Sequence, residues 1–224
     1  SREADYTMLL HAGPEIAVAS TKAYTAQIAV QAVLAKALGL HRHLTAAKAL
    51  NLRHELSLAA AGTQTLVDEK DQINNLVGQY FPNQAHAFYI GRGEDYPLSL
   101  EAALKLKEVS YVHTEGFAAG ELKHGTIALI EEDTPVLAFI TDDATAAHTR
   151  SNLQETEARG AHTMTIVSEH LAQPTDNIVL PDVAPLLSAL VGIVPAQLIA
   201  YYAALGKGLD VDKPRNLAKS VTVE

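Results

Sequence analysis

The chain has 224 residues, of which 48% are apolar and 19% charged, with no cysteine and a formal charge of −9. That length and apolar content bury a substantial core in one or two compact units, which excludes a disordered tail. The acidic balance, without a block of like-signed residues, argues against nucleic acid or an anionic membrane as a partner, and the lack of cysteine excludes disulfides and thiolate chemistry within the chain.

The sequence is read as lacking a run of about 18 or more uncharged apolar residues. Its start, Ser1-Arg2-Glu3-Ala4-Asp5, lacks the charged-then-apolar form of a signal peptide, so a cytoplasmic location is expected. The ten histidines show no tight spacing, and neither a metal site nor a cofactor is expected.

In chain order, a short strand is predicted over residues 6–10, a turn at Gly13-Pro14, and a helix over 21–38 capped by the hydroxyl of Ser20 or Thr21. This helix is apolar on nearly every face, which predicts burial; Gly39 is expected to end it. Residues 44–81 carry two helical patterns that read as a connector. A second unit opens with a strand over 86–90, the turn Gly91-Arg92-Gly93, and a helix begun by Asp95 with Pro97 in its first turn. Further strands are predicted at 112–117, 135–140, 161–167 and 177–180, with helices over 143–159 and 183–205. Short apolar strands alternating with helices predict a parallel sheet covered on both faces.

Ala26-Gln27-Ile28-Ala29 resembles Ala196-Gln197-Leu198-Ile199, each in an apolar helix. If this is a repeat, the first 40 residues are the tail of a unit of which 84–205 is a complete copy.

Three segments can carry chemistry. Glu101, Lys105 and Glu108 fall at i, i+4 and i+7 on one helical stripe. The stripe is either a solvated ion pair or an acid/base carboxylate beside a cation; following a strand and a glycine turn favours the second, because ligands bind beyond strand ends in open parallel sheets. Glu115 to Gly125 sets three glycines around charged residues and His124, which is either an ordinary surface residue or a proton-transfer group near neutral pH. The tail from Asp210 to Glu224 has Pro214 to stop a helix and mixes Arg215 and Lys219 with Leu217, Val221 and Val223, as a docked segment does. A lysine held near a second cation and away from water attacks a carbonyl as a free amine.

Together, Gly91-Arg92-Gly93 through Leu104-Lys105-Leu106-Lys107-Glu108, Gly120-Glu121-Leu122-Lys123-His124-Gly125, and Asp210-Val211-Asp212-Lys213-Pro214-Arg215-Asn216-Leu217-Ala218-Lys219-Ser220-Val221-Thr222-Val223-Glu224 resemble the isomerase region of the glutamine–fructose-6-phosphate aminotransferase family. The segment from Gly13 to Gln27, with Val18-Ala19-Ser20-Thr21-Lys22-Ala23-Tyr24-Thr25, resembles it as well. The resemblance implies a three-layer αβα sugar-isomerase (SIS) fold with a parallel five-stranded sheet, flavodoxin-like, in two subdomains. Residues 1–70 would be the end of a truncated first subdomain with its connecting helices, 71–205 the complete second, and 206–224 a catalytic C-terminal tail.

By the same resemblance the chain takes part in converting fructose 6-phosphate and glutamine-derived ammonia to glucosamine 6-phosphate. Lys219 would form an imine with the C2 ketone, Glu108 would carry a proton from C1 to C2, and Lys105 would stabilise negative charge nearby. His124 would open the sugar ring, reaching the site of a homodimer from the partner subunit. Val18, Arg215 and Ala218 would complete the pocket, and a glutaminase domain would lie upstream. Thr126 stands where the family commonly has proline, which implies a less rigid loop. The serine- and threonine-rich phosphate loop would precede residue 1, so the 224 residues by themselves are expected to be inactive. Two alternatives use the same fold: a deaminase or deglycase of phosphorylated amino sugars, and a sugar-phosphate-sensing module without turnover.

Overall fold

The computed structural model describes residues 2–219. Four helices precede the sheet: α1 (Lys22–His41), α2 (Thr45–Ala49), α3 (Leu52–Asp68) and α4 (Lys70–Tyr80). Then come β1 (His86–Gly91), α5 (Asp95–Ser110), β2 (His113–Ala118), β3 (Pro135–Ile140), α6 (Ala146–Glu157), β4 (His162–Ser168), β5 (Ile178–Leu180) and α7 (Ser188–Gly206). The five strands form one parallel sheet in the order β2-β1-β3-β4-β5. This is the doubly wound order whose switch point lies between β1 and β3.

Alternation along each strand divides the core between the two faces. Ala87 and Tyr89 of β1, with Leu137 and Phe139 of β3, share one cluster with Leu106 of α5 and Ile193, Ala196 and Ile199 of α7. Phe88 and Ile90, with Val136, Ala138 and Ile140, meet Leu122, Ile130 and Leu153 on the opposite face. The sheet is thus covered on both sides, as the short apolar strands predict.

Several expectations are corrected. Residues 6–10 form no strand; a strand needs a partner ladder, and the sheet does not reach this segment. The region after α1 holds three helices where two were expected, because Leu50 and Asn51 interrupt the pattern with an extended turn and a fresh cap, the Asn51 side chain accepting from the His54 N–H. Helix α1 runs through Gly39. A Cβ on Gly39 would lie 2.7 Å from that of Ala47, so this glycine permits close approach of α2 rather than ending the helix.

Nor is α1 buried: among its residues only Ala32 and Gly39 are, while Val33, Leu34 and Leu38 face outward without cover among the described residues. The reading that no long uncharged apolar run exists is corrected by Pro185–Gly206, which carries no charged residue, whereas Lys22–His41 holds Lys22 and Lys36. Two segments, Lys22–His41 and Pro185–Gly206, are long and apolar enough to cross a membrane by length and composition. Most of the second is buried as α7 against α3, α4 and α5, which is why it is apolar on every side.

Candidate active site

The turn from β1 into α5 sets the frame. A Cβ on Gly91 would meet the Asp95 carbonyl at 2.3 Å, so only glycine allows this approach, and Gly93 has φ +57, in the left-handed region. Asp95, buried in the first turn of α5, accepts bonds from the Thr141 N–H (2.9 Å) and hydroxyl (2.6 Å). Burial pushes the Asp95 carboxyl upward in pKa, and the Thr141 bonds oppose it.

This lock holds the start of α5 at the C-terminal end of the sheet. Glu108 lies 13 residues after Asp95, about 20 Å along the helix axis, toward the other end of the sheet. The expectation that the stripe gains from its place beyond the strand ends is therefore wrong; Asp95 holds that place.

What singles out the stripe is burial. Lys105 is only 4% exposed, and its Nζ lies 3.4 Å from Glu101 Oε1 and 2.7 Å from Glu108 Oε2. The solvated-stripe alternative falls. Glu108 Oε2 has no well-aligned hydrogen bond among the described residues, so its contact with Lys105 is an ion pair poorly aligned for a bond. Burial, and secondarily the Glu108 charge, push the Glu101 carboxyl above the usual carboxylate range, with Lys105 opposing. Tyr24 of α1 faces the same group: burial, then the Glu101 charge, raise its hydroxyl to about 12.

The tail closes over this region at three places. The Val18 N–H donates to the Asp212 carbonyl (3.0 Å). The Arg215 N–H donates to the Tyr111 hydroxyl oxygen (2.6 Å), while its guanidinium lies 4.2 Å from the centre of the Tyr111 ring. Lys219 Nζ meets Glu15 Oε2 at 2.9 Å. Polar contacts hold the segment in place, but the apolar packing its composition predicts is not seen at Leu217, which is 43% exposed, and Lys219 does not sit away from water beside a second cation: its side chain is 42% exposed and its neighbour is a carboxylate. Ala218 is exposed. Val221 and Val223, the other apolar residues of the expected docked segment, lie outside the described residues.

Glu15 also replaces the expected cap of α1. Its Oε1 accepts from the N–H of Thr21 and Ala23 (3.0 Å each) and from the Ser20 hydroxyl (3.3 Å), whereas Thr21 makes no capping bond of its own. Burial disfavours the Glu15 charge, but the Ala23, Lys219 and Thr21 bonds outweigh it and hold the carboxyl at about 2.

Between the segment ahead of α1, α5, α7 and the tail lies a cavity of about 200 Å³, lined by Thr21, Lys105, Val109, Gln197, Tyr201 and Asp212 among others. Gln197 Nε2 is buried and has no hydrogen-bond partner among the described residues. Glu15, Tyr111 and Gln197 escaped the motif reading; an acid just ahead of a helix start was the available signal for Glu15.

His124 stands apart. It ends the single 3-10 turn Leu122–His124, is exposed, and follows the C-terminal end of β2, opposite the end of α5 that carries Glu108. Thr126 opens the next turn, Thr126–Leu129, after Gly125 at φ +141. Among the described residues no group of three or more histidine, cysteine or acidic side chains suits a metal ion.

The SIS domain model matches residues 80–206. The glutamine–fructose-6-phosphate aminotransferase (isomerizing) of Lactiplantibacillus plantarum is 64% identical over all 224 residues, and the chain spans 37% of that protein's length. Among solved structures, the C-terminal domain of glucosamine-fructose-6-phosphate aminotransferase from Francisella tularensis superposes with a TM-score of 0.84 at 36% identity, over 95% of this chain and 61% of that one. Glucosamine-6-phosphate deaminase from Thermotoga maritima superposes at 0.71 with 22% identity, over 94% and 59%, a likeness of fold alone.

Proposed function

Because the chain belongs to the SIS-domain family, we propose that it is the isomerase portion of a glutamine–fructose-6-phosphate aminotransferase. In this reading it converts fructose 6-phosphate and ammonia to glucosamine 6-phosphate as part of a longer protein. The observation that carries the proposal is the buried Lys105 between Glu101 and Glu108, beneath a docked tail that presents Lys219. The 64% identity over the full chain length supports it.

The residues divide the work as follows. The Lys219 amine adds to the C2 ketone of the opened sugar and expels water to form an imine, which ammonia then displaces, freeing the lysine. Glu108 takes the C1 proton and returns it to C2, turning a ketose imine into the amino aldose. Lys105, fixed by two carboxylates and out of bulk water, stabilises the negative charge that develops during the transfer. Val18, Arg215 and Ala218 belong to the strap and tail that frame the sugar.

His124, which opens the ring, acts from a partner subunit, a reading supported by its place at the opposite end of the sheet from Glu108. Residues 1–70 close a first sugar-isomerase subdomain, 71–205 form the second and 206–224 the catalytic tail. The uncovered apolar side of α1 fits a sheet contributed by the longer chain. An upstream glutaminase domain supplies the ammonia, and the cytoplasm is the setting.

The test is borohydride trapping of fructose 6-phosphate on the full-length protein, followed by peptide mass spectrometry. Label on Lys219 is expected; label confined to another lysine overturns the assignment.

A further inference from the structure

The link between Glu15 and Lys219 joins residues 204 positions apart, and nothing in the reaction scheme above calls for it. The two oxygens of Glu15 do different work. Oε1 accepts the free N–H groups at the start of α1, where a helix favours negative charge. Oε2 is left to face the tail and takes the Lys219 ammonium. A second bond, from the Val18 N–H to the Asp212 carbonyl, ties the same two segments together three residues along the strap.

Position matters for this lysine. It ends a flexible four-carbon stem on an exposed stretch of tail with no helix or strand around it, whereas attack on a carbonyl needs the amine within a narrow range of positions. Glu15 itself is rigidly held by the α1 N-terminus, and its anchoring does not depend on Lys219.

We propose that Glu15 is the positioning residue of Lys219: anchored on the N-terminal end of α1, it holds the Lys219 Nζ in one place and keeps the tail seated while the site is empty. Substrate then draws the amine away from the carboxylate. The lowered pKa of Glu15, about 2, keeps the carboxylate charged through the physiological range. The role assigned to Lys219 rests on the function proposed above; the ion pair and its consequences for the tail do not.

The test uses the full-length protein with Glu15→Gln, Lys219→Gln and the double variant. A glutamine carbonyl still accepts the Thr21 and Ala23 N–H bonds, so Glu15→Gln keeps α1 capped and removes only the charge. Without substrate, acetic anhydride labelling of Lys219 relative to Lys213 is read by peptide mass spectrometry. It should rise about 1.5- to 5-fold in Glu15→Gln, the range for losing an exposed ion pair. An unchanged ratio overturns the proposal.

Tryptic cleavage after Arg215 gives a second reading on the same proteins. Each single variant should be cut faster than the wild type, and the double variant no faster than the singles; additive acceleration refutes a direct pairing. Glu15→Asp, which keeps the charge, should return both readings toward wild type. Neither measurement needs turnover. Borohydride label on Lys219 with no change in Glu15→Gln sinks this inference and leaves the function standing; the reverse pattern sinks the function and leaves the pair.

Discussion

Lys105→Met tests the buried triad most directly. Methionine fills the space of the lysine stem and removes the ammonium, leaving Glu101 and Glu108 with side chains 18% and 22% exposed and no cation between them. Breaking a fully buried ion pair from one side costs about 3–5 kcal/mol. Because both carboxylates still touch water, part of that cost is recovered by hydration, and a loss of about 2–3 kcal/mol is expected. For a domain of this size that lowers the melting temperature by roughly 5–10 °C.

The loss also has a pH signature. Glu101 already sits above its unfolded value of 4.5, so the folded state takes up the proton more readily and this group favours folding at low pH. As pH rises past 4.5 and through the raised folded pKa, that contribution is lost. Removing Lys105 deletes the influence that opposes the rise, so the variant should be closest to wild type near pH 5 and furthest from it near pH 8. Urea denaturation of the 224-residue chain between pH 5 and 8 provides the assay. A variant as stable as wild type at pH 8, or a deficit that does not grow with pH, refutes the reasoning; Glu101→Gln in the same background should restore much of the loss.

Thr141→Val leaves the buried Asp95 carboxylate without the donor hydroxyl at 2.6 Å, and should cost about 1–3 kcal/mol in urea denaturation. Arg150 makes two 2.8 Å bonds to Asp176 and a third to the Leu171 carbonyl, so Arg150→Ala should lose about 2–3 kcal/mol at pH 7. Burial opposes the Asp176 charge, but Arg150 and the Gln173 N–H outweigh it and depress its pKa below 3.8. Its contribution is therefore present above 3.8 and lost as acid titrates it, and the gap between Arg150→Ala and wild type should narrow below about pH 4. If His124 serves the site of a partner, mixing inactive full-length His124→Ala and Glu108→Gln proteins and allowing exchange should restore roughly a quarter of wild-type activity, from the hybrid dimers with one intact site; no recovery argues for a site within one chain.

The strands were legible because each is a short apolar run between turn residues: 135–140 was placed to the residue, and 86–90 and 177–180 within one. Local signals failed where a distant partner decided the outcome. Ser20 and Thr21 have the right chemistry for a cap, yet Glu15 provides it from five and six residues upstream. Gly39 has the chemistry of a stop, yet close approach of Ala47 explains it. The i, i+4, i+7 spacing put Glu101, Lys105 and Glu108 on one face, but whether that face meets water depends on α1, α7 and the tail, and only the fold supplies those. The Lys219 neighbour was misjudged for the same reason: spacing shows Arg215 four residues away and cannot show Glu15 across the molecule.

The direction of α5 is what constrains the chemistry most. The Asp95–Thr141 lock pins its first turn at the C-terminal strand ends, so Lys105 and Glu108 are carried toward the N-terminal ends, where α1, α7 and the tail converge. β2 then runs back the other way beside β1, paired from His86 with His113 to Gly91 with Ala118, and delivers His124 to the end that α5 has left. The two groups are separated by the length of the helix, and the separation is built into the right-handed strand–helix–strand unit itself. That separation is what favours the two-chain arrangement proposed above for a reaction that needs both, with the tail held at Glu15, Val18 and Tyr111 on the Glu108 side.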